Sequence, residues 1–342
     1  MKKFDFVVGN PPYQDENIGD STQEPPIYHL FVDESSKISD RTLLITPARF
    51  LFNAGATPKS WNRKMLNDPH FKVLYYNQNS GTIFYSTDIK GGVAILYLDK
   101  TKSFEPIEVF TPYDELNSII DKLHKLTYDP LSSIMSGQNT YKFTDLLHEE
   151  NVYAESRLSK GHKYDLTTSI FMKLPEIFID NPEVQSKYFR IIGRINNKRE
   201  FKWVKKKYIR KNDNLDKYKV VLPKSNGTGI LGESLSSPLV IPPNTGFTQT
   251  FISAGYFENE TEANNLLTYI KTKFLRAILG VYKITQDNPP EKWKLVPLQD
   301  FTENSDIDWS KSIAEIDQQL YKKYGLSPEE IDFIEEKVQE ME

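Results

Sequence analysis

A short apolar segment at residues 4–8 leads directly into Gly9-Asn10-Pro11-Pro12-Tyr13, whose groups can bind a planar ring that carries an amine. The two prolines fix φ and remove two backbone donors, which leaves rigid carbonyl acceptors beside the Asn10 amide. Asn10 Oδ1 and the Pro11 carbonyl can accept both hydrogens of an exocyclic amine, while Tyr13 stacks on a base flipped from a duplex. The alternative is an ordinary turn, because Asn-Pro often opens one. The preceding strand and the following tyrosine favour the binding site.

The elements around this string alternate between strands and helices. Strand patterns occur at residues 4–8, 42–46, 72–77 and 93–98, and helical patterns occur at 25–38 and 59–66. The strands look buried on both faces, which is typical of an α/β sheet. Such sheets bind ligands at the carboxyl ends of their strands, which is where Asn10 is expected. The pattern accounts for about half of a doubly wound domain.

The rest of the chain predicts further elements and three parts in all. A helix at 114–126 leads into a polar stretch, followed by short strands at 188–192, 219–222 and 239–241 among many turns. One helix is predicted to begin at Thr261 as N-cap and to end at Gly280. A C-terminal helical hairpin is predicted from residues 310–324 and from the capping pattern of Ser327, Pro328 and Glu330. The predicted parts are residues 1–130, 150–300 and 301–342.

The charges are distributed unevenly, although the net charge of the 342 residues is only −4. Residues 185–224 contain 14 Lys or Arg and three acidic residues, a local balance of +11. Residues 300–342 contain 13 acidic residues and four lysines, a balance of −9. A basic segment in an acidic protein is a candidate contact for a polyanion such as nucleic acid, and the alternative is a solvated surface.

The composition excludes several classes of protein. With no cysteine, the chain can form no disulfide, zinc finger, iron–sulfur cluster or thiol nucleophile. The longest apolar run, residues 93–98, is too short to cross a bilayer, and residues 1–12 contain no apolar stretch of signal-peptide length. We therefore expect a cytoplasmic protein. The five histidines lack metal-ligand spacing and no carboxylate cluster marks a nuclease core, so we expect neither a metal site nor DNA cleavage.

The string Asn10-Pro11-Pro12-Tyr13 after an apolar strand resembles the NPPY signature of amino-group DNA methyltransferases, chiefly the gamma-class adenine-N6 enzymes of restriction-modification systems. Residues 26–32, 44–50, 81–84 and 91–95 look similar to later blocks of that catalytic domain. The resemblance implies an α/β fold: the C-terminal half of a Rossmann-like methyltransferase sheet, then a mixed α+β specificity domain. It also implies that Asn10, Pro11, Pro12 and Tyr13 are catalytic. Phe84 would contact the flipped adenine opposite Tyr13, and the alternative for Phe84 is a core residue.

The resemblance implies S-adenosylmethionine as methyl donor and double-stranded DNA as substrate. The N6 lone pair of adenine is delocalised into the ring, and acceptors at Asn10 and Pro11 would favour a more pyramidal nitrogen aimed at the methyl carbon. Such an attack depends on positioning rather than on acid–base catalysis.

The middle region is similar to the TaqI-like specificity domain through several loose strings in the same order, which are residues 192–194, 201–203, 221–224, 283–285 and 296–298. In this context the basic side chains of the segment suit contacts with phosphates, and the aromatic side chains between them can pack on sugars or bases. The acidic C-terminal part resembles the tail of restriction-modification methylases. The residues predicted to contact DNA are Arg194, Lys202, Trp203, Lys205, Lys206, Lys207, Arg210 and Lys211.

The sequence departs from the family pattern at the cofactor loop. Gamma-class enzymes place a G-x-G loop upstream of NPPY, and only nine residues precede Asn10 here. The one G-x-G-x-x-G string, residues 227–232, is followed by serines and prolines instead of a helix, so we interpret it as a turn. We therefore expect part of a methyltransferase whose cofactor-binding part is missing or is supplied by a partner chain. The alternative is a non-catalytic DNA-binding specificity protein or a truncated methylase remnant.

Overall fold

The computed structural model describes residues 4–15, 25–53, 55–84, 89 and 91–341. The chain divides into two compact units, Met1–Asn117 and Ser118–Glu342. The functional division into residues 1–130, 150–300 and 301–342 stays a prediction. In the part of the chain that is described, no helix combines the length and the apolar character that a membrane span needs.

In the described residues of the first unit, four strands form one mixed sheet in the order β1-β2-β4-β3. β1 and β2 are parallel, and β4 is antiparallel to both β2 and β3. β1, β2 and β3 therefore run in the same direction. All four strands were predicted, and their bounds are β1 (Phe4–Gly9), β2 (Ser39–Pro47), β3 (Phe71–Asn77) and β4 (Val93–Asp99).

The first two helices, α1 (Tyr28–Ile38) and α2 (Lys59–Leu66), pack on a single core. Tyr28 of α1 and Trp61 of α2 are buried in it together with Leu44 of β2. α2 has the predicted bounds. α1 begins later than predicted, because Pro25 and Pro26 are held in an extended bridge to residues 14–15. The chain then continues through α3 (Asp114–His124).

β1 differs from the prediction of strands buried on both faces. Phe4, Phe6 and Val8 alternate along β1, point to the same side, and are 53%, 54% and 69% exposed. Val7, on the opposite side, packs against the core that α1 and α2 share. Among the described residues, β1 is an edge strand whose helix-covered face is partly buried at Val7 and whose other face is exposed.

In the described residues of the second unit, the strands form two sheets. One has the order β10-β6-β7, in which β6 is antiparallel to β7 and parallel to β10. The other is antiparallel, with the order β5-β11-β8-β9. The bounds are β5 (Met135–Ser136), β6 (Tyr188–Ile195), β7 (Lys198–Lys205), β8 (Tyr218–Pro223), β9 (Leu239–Ile241), β10 (Thr245–Phe247) and β11 (Phe251–Phe257).

The hairpin of β6 and β7 is a feature that the sequence pattern did not predict. Asn196 and Asn197 connect its strands with φ values of 49° and 62°. Two consecutive positive φ values are typical of the tight turns that join twisted strands. β7 has the sequence KREFKWVK, which was interpreted as part of the basic DNA-contacting segment and not as a strand. β10 and β11 were likewise not predicted.

The helix predicted from Thr261 to Gly280 is two helices, broken at Thr272. Thr272 is extended (φ −61°, ψ 148°), and its hydroxyl accepts a hydrogen bond from Leu275 N at 3.2 Å. The N-cap of the first helix is Asn259 instead of Thr261, since its side chain accepts from Glu262 N. The helices of this unit are α4 (Asp145–Glu150), α5 (Tyr153–Arg157), α6 (Ile170–Lys173), α7 (Glu260–Lys271), α8 (Lys273–Tyr282), α9 (Ile313–Lys323) and α10 (Pro328–Lys337).

Gly280 lies inside α8 instead of ending it, and packing explains the glycine. A Cβ at Gly280 would lie 2.4 Å from Leu231 Cδ1, so the missing side chain allows Leu231 to approach the helix. α8 ends at Tyr282.

The two C-terminal helices begin with reciprocal capping interactions. In α9 the Ser312 hydroxyl accepts from Glu315 N, and the Glu315 carboxylate accepts from Ser312 N. In α10 Ser327 and Glu330 form the predicted capping box, with Pro328 at the first helical position. The Tyr321 hydroxyl of α9 donates to Glu335 Oε1 of α10 at 2.9 Å.

Candidate active site and nucleic-acid interface

Three strands of the first unit end at the same edge of its sheet. Because β1, β2 and β3 run in the same direction, the segments that follow them meet at their carboxyl ends. These segments begin at Asn10, Ala48 and Gln78. The predicted base-binding residues therefore lie where open α/β sheets bind ligands.

The loop after β1 is tied to the start of α1. Ile27 N donates to Tyr13 O at 3.1 Å, and Asp15 N donates to Pro25 O at 3.0 Å. Asn10 and Pro12 are exposed, whereas Pro11 is partly buried. The loop is thus fixed at its far end while the Asn10 amide stays accessible to a ligand.

Tyr13 is the partly buried anchor of this loop. Its ring packs against the core of the first unit, and its hydroxyl oxygen is buried. No hydrogen bond of ordinary geometry reaches that oxygen from the described residues. Burial raises the pKa of Tyr13, and the neighbouring Asn10 side chain partly opposes the rise. Tyr13 is therefore a neutral ring whose position is set by packing.

Phe84 lies beside Tyr13. The two ring centroids are 6.5 Å apart, and the ring planes are inclined by 76°. This is an edge-to-face contact. A base held between two rings needs both of them roughly parallel to its faces, so one ring has to rotate before a base can enter between them.

A short turn that sequence analysis had not assigned a role presents Phe84. Phe84 N donates to Ser80 O at 2.8 Å at the end of the 3₁₀ turn Ser80–Thr82, and Asn79 caps that turn. Asn77 at the end of β3 donates to Thr82 Oγ1 at 2.9 Å. The signal in the sequence was the Asn-Gln-Asn-Ser-Gly run at residues 77–81, which is rich in turn-forming residues.

Arg49 places a cation at the same edge of the sheet. It follows β2, is exposed, and packs so closely on Gly91 that a Cβ there would lie 2.5 Å from Arg49 Cγ. Burial raises the pKa of Tyr28 to about 12, against the opposing influence of Thr57 and of the Arg49 charge. Sequence analysis had placed Arg49 within a family-like block without a role, since only the fold brings it near the other loops.

The predicted DNA-contacting residues lie on the β6–β7 hairpin and on the segment after it. Arg194 is on β6, and Lys202, Trp203 and Lys205 are on β7. Lys206 and Lys207 begin the 3₁₀ turn Lys206–Tyr208, and Arg210 and Lys211 follow it. The fold therefore gathers the basic segment into one part of the second unit.

Two of these lysines already have carboxylate partners within the chain. Lys202 Nζ lies 2.5 Å from Asp180 Oδ1, and Lys207 Nζ lies 2.5 Å from Glu150 Oε1. Hydrogen bonds from Lys207 and Tyr208 lower the pKa of Glu150. Sequence analysis missed both pairs, because the partners are distant along the chain.

The other predicted contacts lack such a partner. Among the described residues no ion pair joins a carboxylate to Arg194, Lys205, Lys206, Arg210 or Lys211. Lys206 donates to Asn244 Oδ1 at 2.7 Å, and Arg210 Nε donates to Phe143 O at 2.8 Å. Lys205 and Arg210 still interact electrostatically with Glu150 and Asp145, and the charges of Arg194, Lys206 and Lys211 remain available for an external anion.

The G-x-G-x-x-G loop is filled by a side chain of the protein. Glu233 accepts hydrogen bonds from Thr228 N at 2.7 Å and Gly229 N at 3.1 Å, and its carboxylate pairs with Lys283 at 2.5 Å. Although burial acts to raise the pKa of Glu233, these hydrogen bonds hold it below its usual value. The loop does not fit an anionic ligand, because a carboxylate already occupies its donors. This agrees with the interpretation of the string as a turn.

The described residues also include no group of three or more His, Asp and Glu side chains placed to hold a metal ion.

Comparison with known proteins finds one family for the first part of the chain. Residues 1–84 match the model of the Eco57I restriction-modification methylase family. This segment contains Asn10–Tyr13 and ends at Phe84. No curated protein matches the chain.

Two solved structures align with most of the chain, with low TM-scores and low sequence identity. The type IIG restriction endonuclease BpuSI has 11% identity and a TM-score of 0.34, with 98% of this chain and 54% of that chain covered. The type IIL restriction-modification enzyme MmeI, solved in complex with DNA, has 12% identity and a TM-score of 0.36, with 97% and 56% covered. The chain spans about half the length of both.

Proposed function

We propose that this chain is the base-binding and target-recognition part of a site-specific DNA adenine-N6 methyltransferase. The observation that carries the proposal is the Asn10–Tyr13 loop at the carboxyl end of β1 with Phe84 beside it. Both lie in the segment that matches the restriction-modification methylase family. The unpaired basic residues of the second unit support a role in binding the phosphates of duplex DNA.

The chain's own residues bind and orient the target base. Asn10 Oδ1 and the Pro11 carbonyl accept the two amine hydrogens, which distinguishes an amino group from a carbonyl group. The two prolines keep these acceptors rigid, so little reorganisation is needed when the base arrives. Tyr13 supports one face of the base, and Phe84 closes on the other after its ring rotates.

S-adenosylmethionine, the donor that the family implies, supplies an activated methyl group when it is bound. The glycine-rich loop of this chain does not fit it, because Glu233 occupies the backbone donors. We therefore propose that a partner chain supplies the site of the donor.

The open side of β1 supports such a partner. Among the described residues β1 pairs only with β2, so it is an edge strand of the sheet. Phe4, Phe6 and Val8 form an exposed apolar row beside that edge, and parallel strands are normally covered on both faces. The partner that fits contributes a strand along β1 and a helix over Phe6 and Val8.

A substitution in the exposed row tests the partner. Phe6→Asp should abolish co-purification with the co-expressed product of the neighbouring reading frame, since a carboxylate replaces apolar contact area. Ile230→Asp is the matched control, because Ile230 is an apolar side chain with 70% exposure that lies outside this row. Retention of the complex by Phe6→Asp at wild-type yield would contradict the docking site.

Asn10→Ala tests the catalytic assignment in the reconstituted enzyme. Loss of the amide acceptor should abolish formation of N6-methyladenine and leave duplex affinity within a few fold, since Asn10 contacts only the flipped base. The exposed Asn304 serves as control, and Asn304→Ala should keep full activity. Activity of Asn10→Ala above about a tenth of wild type would refute the assignment.

The filled glycine loop also favours a second candidate, a DNA-binding specificity protein without catalysis. Calorimetric titration with S-adenosylmethionine separates the two. The lone chain should show no binding in either case, and a complex with the neighbouring gene product should bind only if the enzyme is split. A micromolar dissociation constant for the lone chain would show a donor site within this chain.

A further inference from the structure

Two arginines face each other across the β6–β7 hairpin. Arg194 of β6 is the direct register partner of Arg199 of β7, next to the Asn196-Asn197 turn. Side chains directly opposite each other on an antiparallel pair have their Cβ atoms about 5 Å apart. Like charges in this position repel and destabilise the pair.

Arg199 is held rigidly in this arrangement. It donates from Nη1 to Ser237 O at 2.6 Å and from Nη2 to Ser236 O at 2.9 Å. Its guanidinium carbon also lies 5.7 Å from the centre of the Phe251 ring. Burial lowers the pKa of Arg199, and the charge of Arg194 lowers it further. The chain thus fixes a partly buried cation in a position that another cation disfavours.

Arg194 adds an unsatisfied donor. Its Nε is buried and has no hydrogen-bond partner among the described residues. Over the same part of the chain, no carboxylate forms an ion pair with Arg194 or Arg199, whereas Lys202 on the same hairpin is paired with Asp180. A buried donor without a partner and a repelling pair both cost stability, and a bound anion would offset both.

We infer that Arg194 and Arg199 form a binding site for a phosphate oxyanion, which in the proposed function is a phosphodiester of the DNA backbone. Guanidinium groups suit this ligand because their planar donors match the oxygens of a phosphate. Arg190 continues the row: it lies on the same side of β6, and its guanidinium carbon is 3.8 Å from the centre of the Phe201 ring. Arg199 was not among the residues predicted to contact DNA.

The identification as a phosphodiester rests on the proposed function, whereas the anion site itself does not. The site predicts two effects of opposite sign for Arg194→Gln. Removing one charge should relieve the repulsion and raise the melting temperature of the free chain by about 2 °C. The same change should weaken binding to duplex DNA by about tenfold and reduce the salt slope by about 1.

The control is Lys198→Gln, which removes an exposed charge from the same hairpin. It should leave the melting temperature unchanged. Arg199→Gln serves as a second variant, since it also removes one member of the pair. An unchanged or lower melting temperature together with unchanged duplex affinity for both arginine variants would overturn the site.

Inorganic phosphate provides a test of the anion site that is independent of DNA. At equal ionic strength, phosphate should raise the melting temperature of the wild-type chain above its value in chloride, and this difference should disappear in Arg194→Gln. If phosphate raises the melting temperature but the chain does not bind duplex DNA, the anion site is supported and the proposed function is contradicted. Duplex binding that does not depend on Arg194 or Arg199, with no phosphate effect, would contradict the anion site alone.

Discussion

Lys219 of β8 is a charged residue that the protein buries completely. Its ammonium donates to Asn214 O at 2.5 Å and to Lys217 O at 2.9 Å, so two carbonyl groups hold it. Burial lowers the pKa of Lys219 to about 7, against the opposing influence of the Asp216 charge. The folded state therefore binds the Lys219 proton less tightly than the unfolded chain does.

The pH dependence of stability follows from this difference. Between pH 7 and the unfolded value of about 10.4, the unfolded chain holds more protons, so the free energy of unfolding rises with pH. Relative to Lys219→Met, the wild-type protein should gain about 1 to 4 kcal/mol over this interval. Urea unfolding of both proteins at several pH values measures the gain. Parallel pH profiles for the two proteins would contradict it.

At this scale the sequence predicted roles for Asn10, Tyr13 and Phe84, because contiguous strings with a characteristic order carry them. It did not identify the ion pair of Lys207 with Glu150, nor the facing arginines at 194 and 199. Such pairs depend on strand register and on contacts between distant segments, which a single sequence does not display.

At the scale of the elements, Gly92 supports the turn that presents Phe84. It has φ +78°, and a Cβ there would lie 2.2 Å from Asn77 O and 2.7 Å from Gln78 Cα. These are backbone atoms of the segment that leads into the Ser80–Thr82 turn. A side chain at this position would have to displace that segment.

Gly92→Ala should therefore both destabilise the first unit and reduce methylation by the reconstituted enzyme. Gly161 is the matched control, with φ +83° and no atom within 4 Å of its Cβ position. Gly161→Ala should cost about 1 kcal/mol from backbone conformation alone, and Gly92→Ala about 3 kcal/mol or more. Hydrogen exchange of the strands in each unit measures both costs. Equal costs would show that the close approach to Asn77 is not required.

Sequence patterns predicted the strands of the first unit and α2 well, because regular alternation and periodicity determine them. They failed where tertiary contacts decide. The helix break at Thr272 is one example, since Asp317 of α9 accepts hydrogen bonds from Lys273 N and Phe274 N and caps the second helix. The apolar stripe continues across that break, so periodicity alone indicated a single helix.

At the scale of the whole molecule, the two opposed blocks of charge were visible in the sequence, and the fold changes what the basic block can contribute. The +11 balance of residues 185–224 counts Lys202 and Lys207 as free cations, and both have carboxylate partners from other segments. The open side of β1 was not predicted, because the residues of that strand are as apolar as those of a covered one.

The salt dependence of DNA binding tests this view of the basic segment. Each phosphate contact that is lost should reduce the slope of log affinity against log salt by about 0.9. Lys205→Ala and Lys206→Ala should each do so, because neither lysine is paired with a carboxylate among the described residues. Lys207→Ala should leave the slope nearly unchanged, because Glu150 already neutralises that charge. The triple variant, in which Lys205, Lys206 and Lys207 are all changed to alanine, should therefore lose about 2 units of slope instead of 3. It should bind matched and scrambled duplexes more weakly by similar factors. An unchanged slope in the triple variant would identify the segment as a solvated surface.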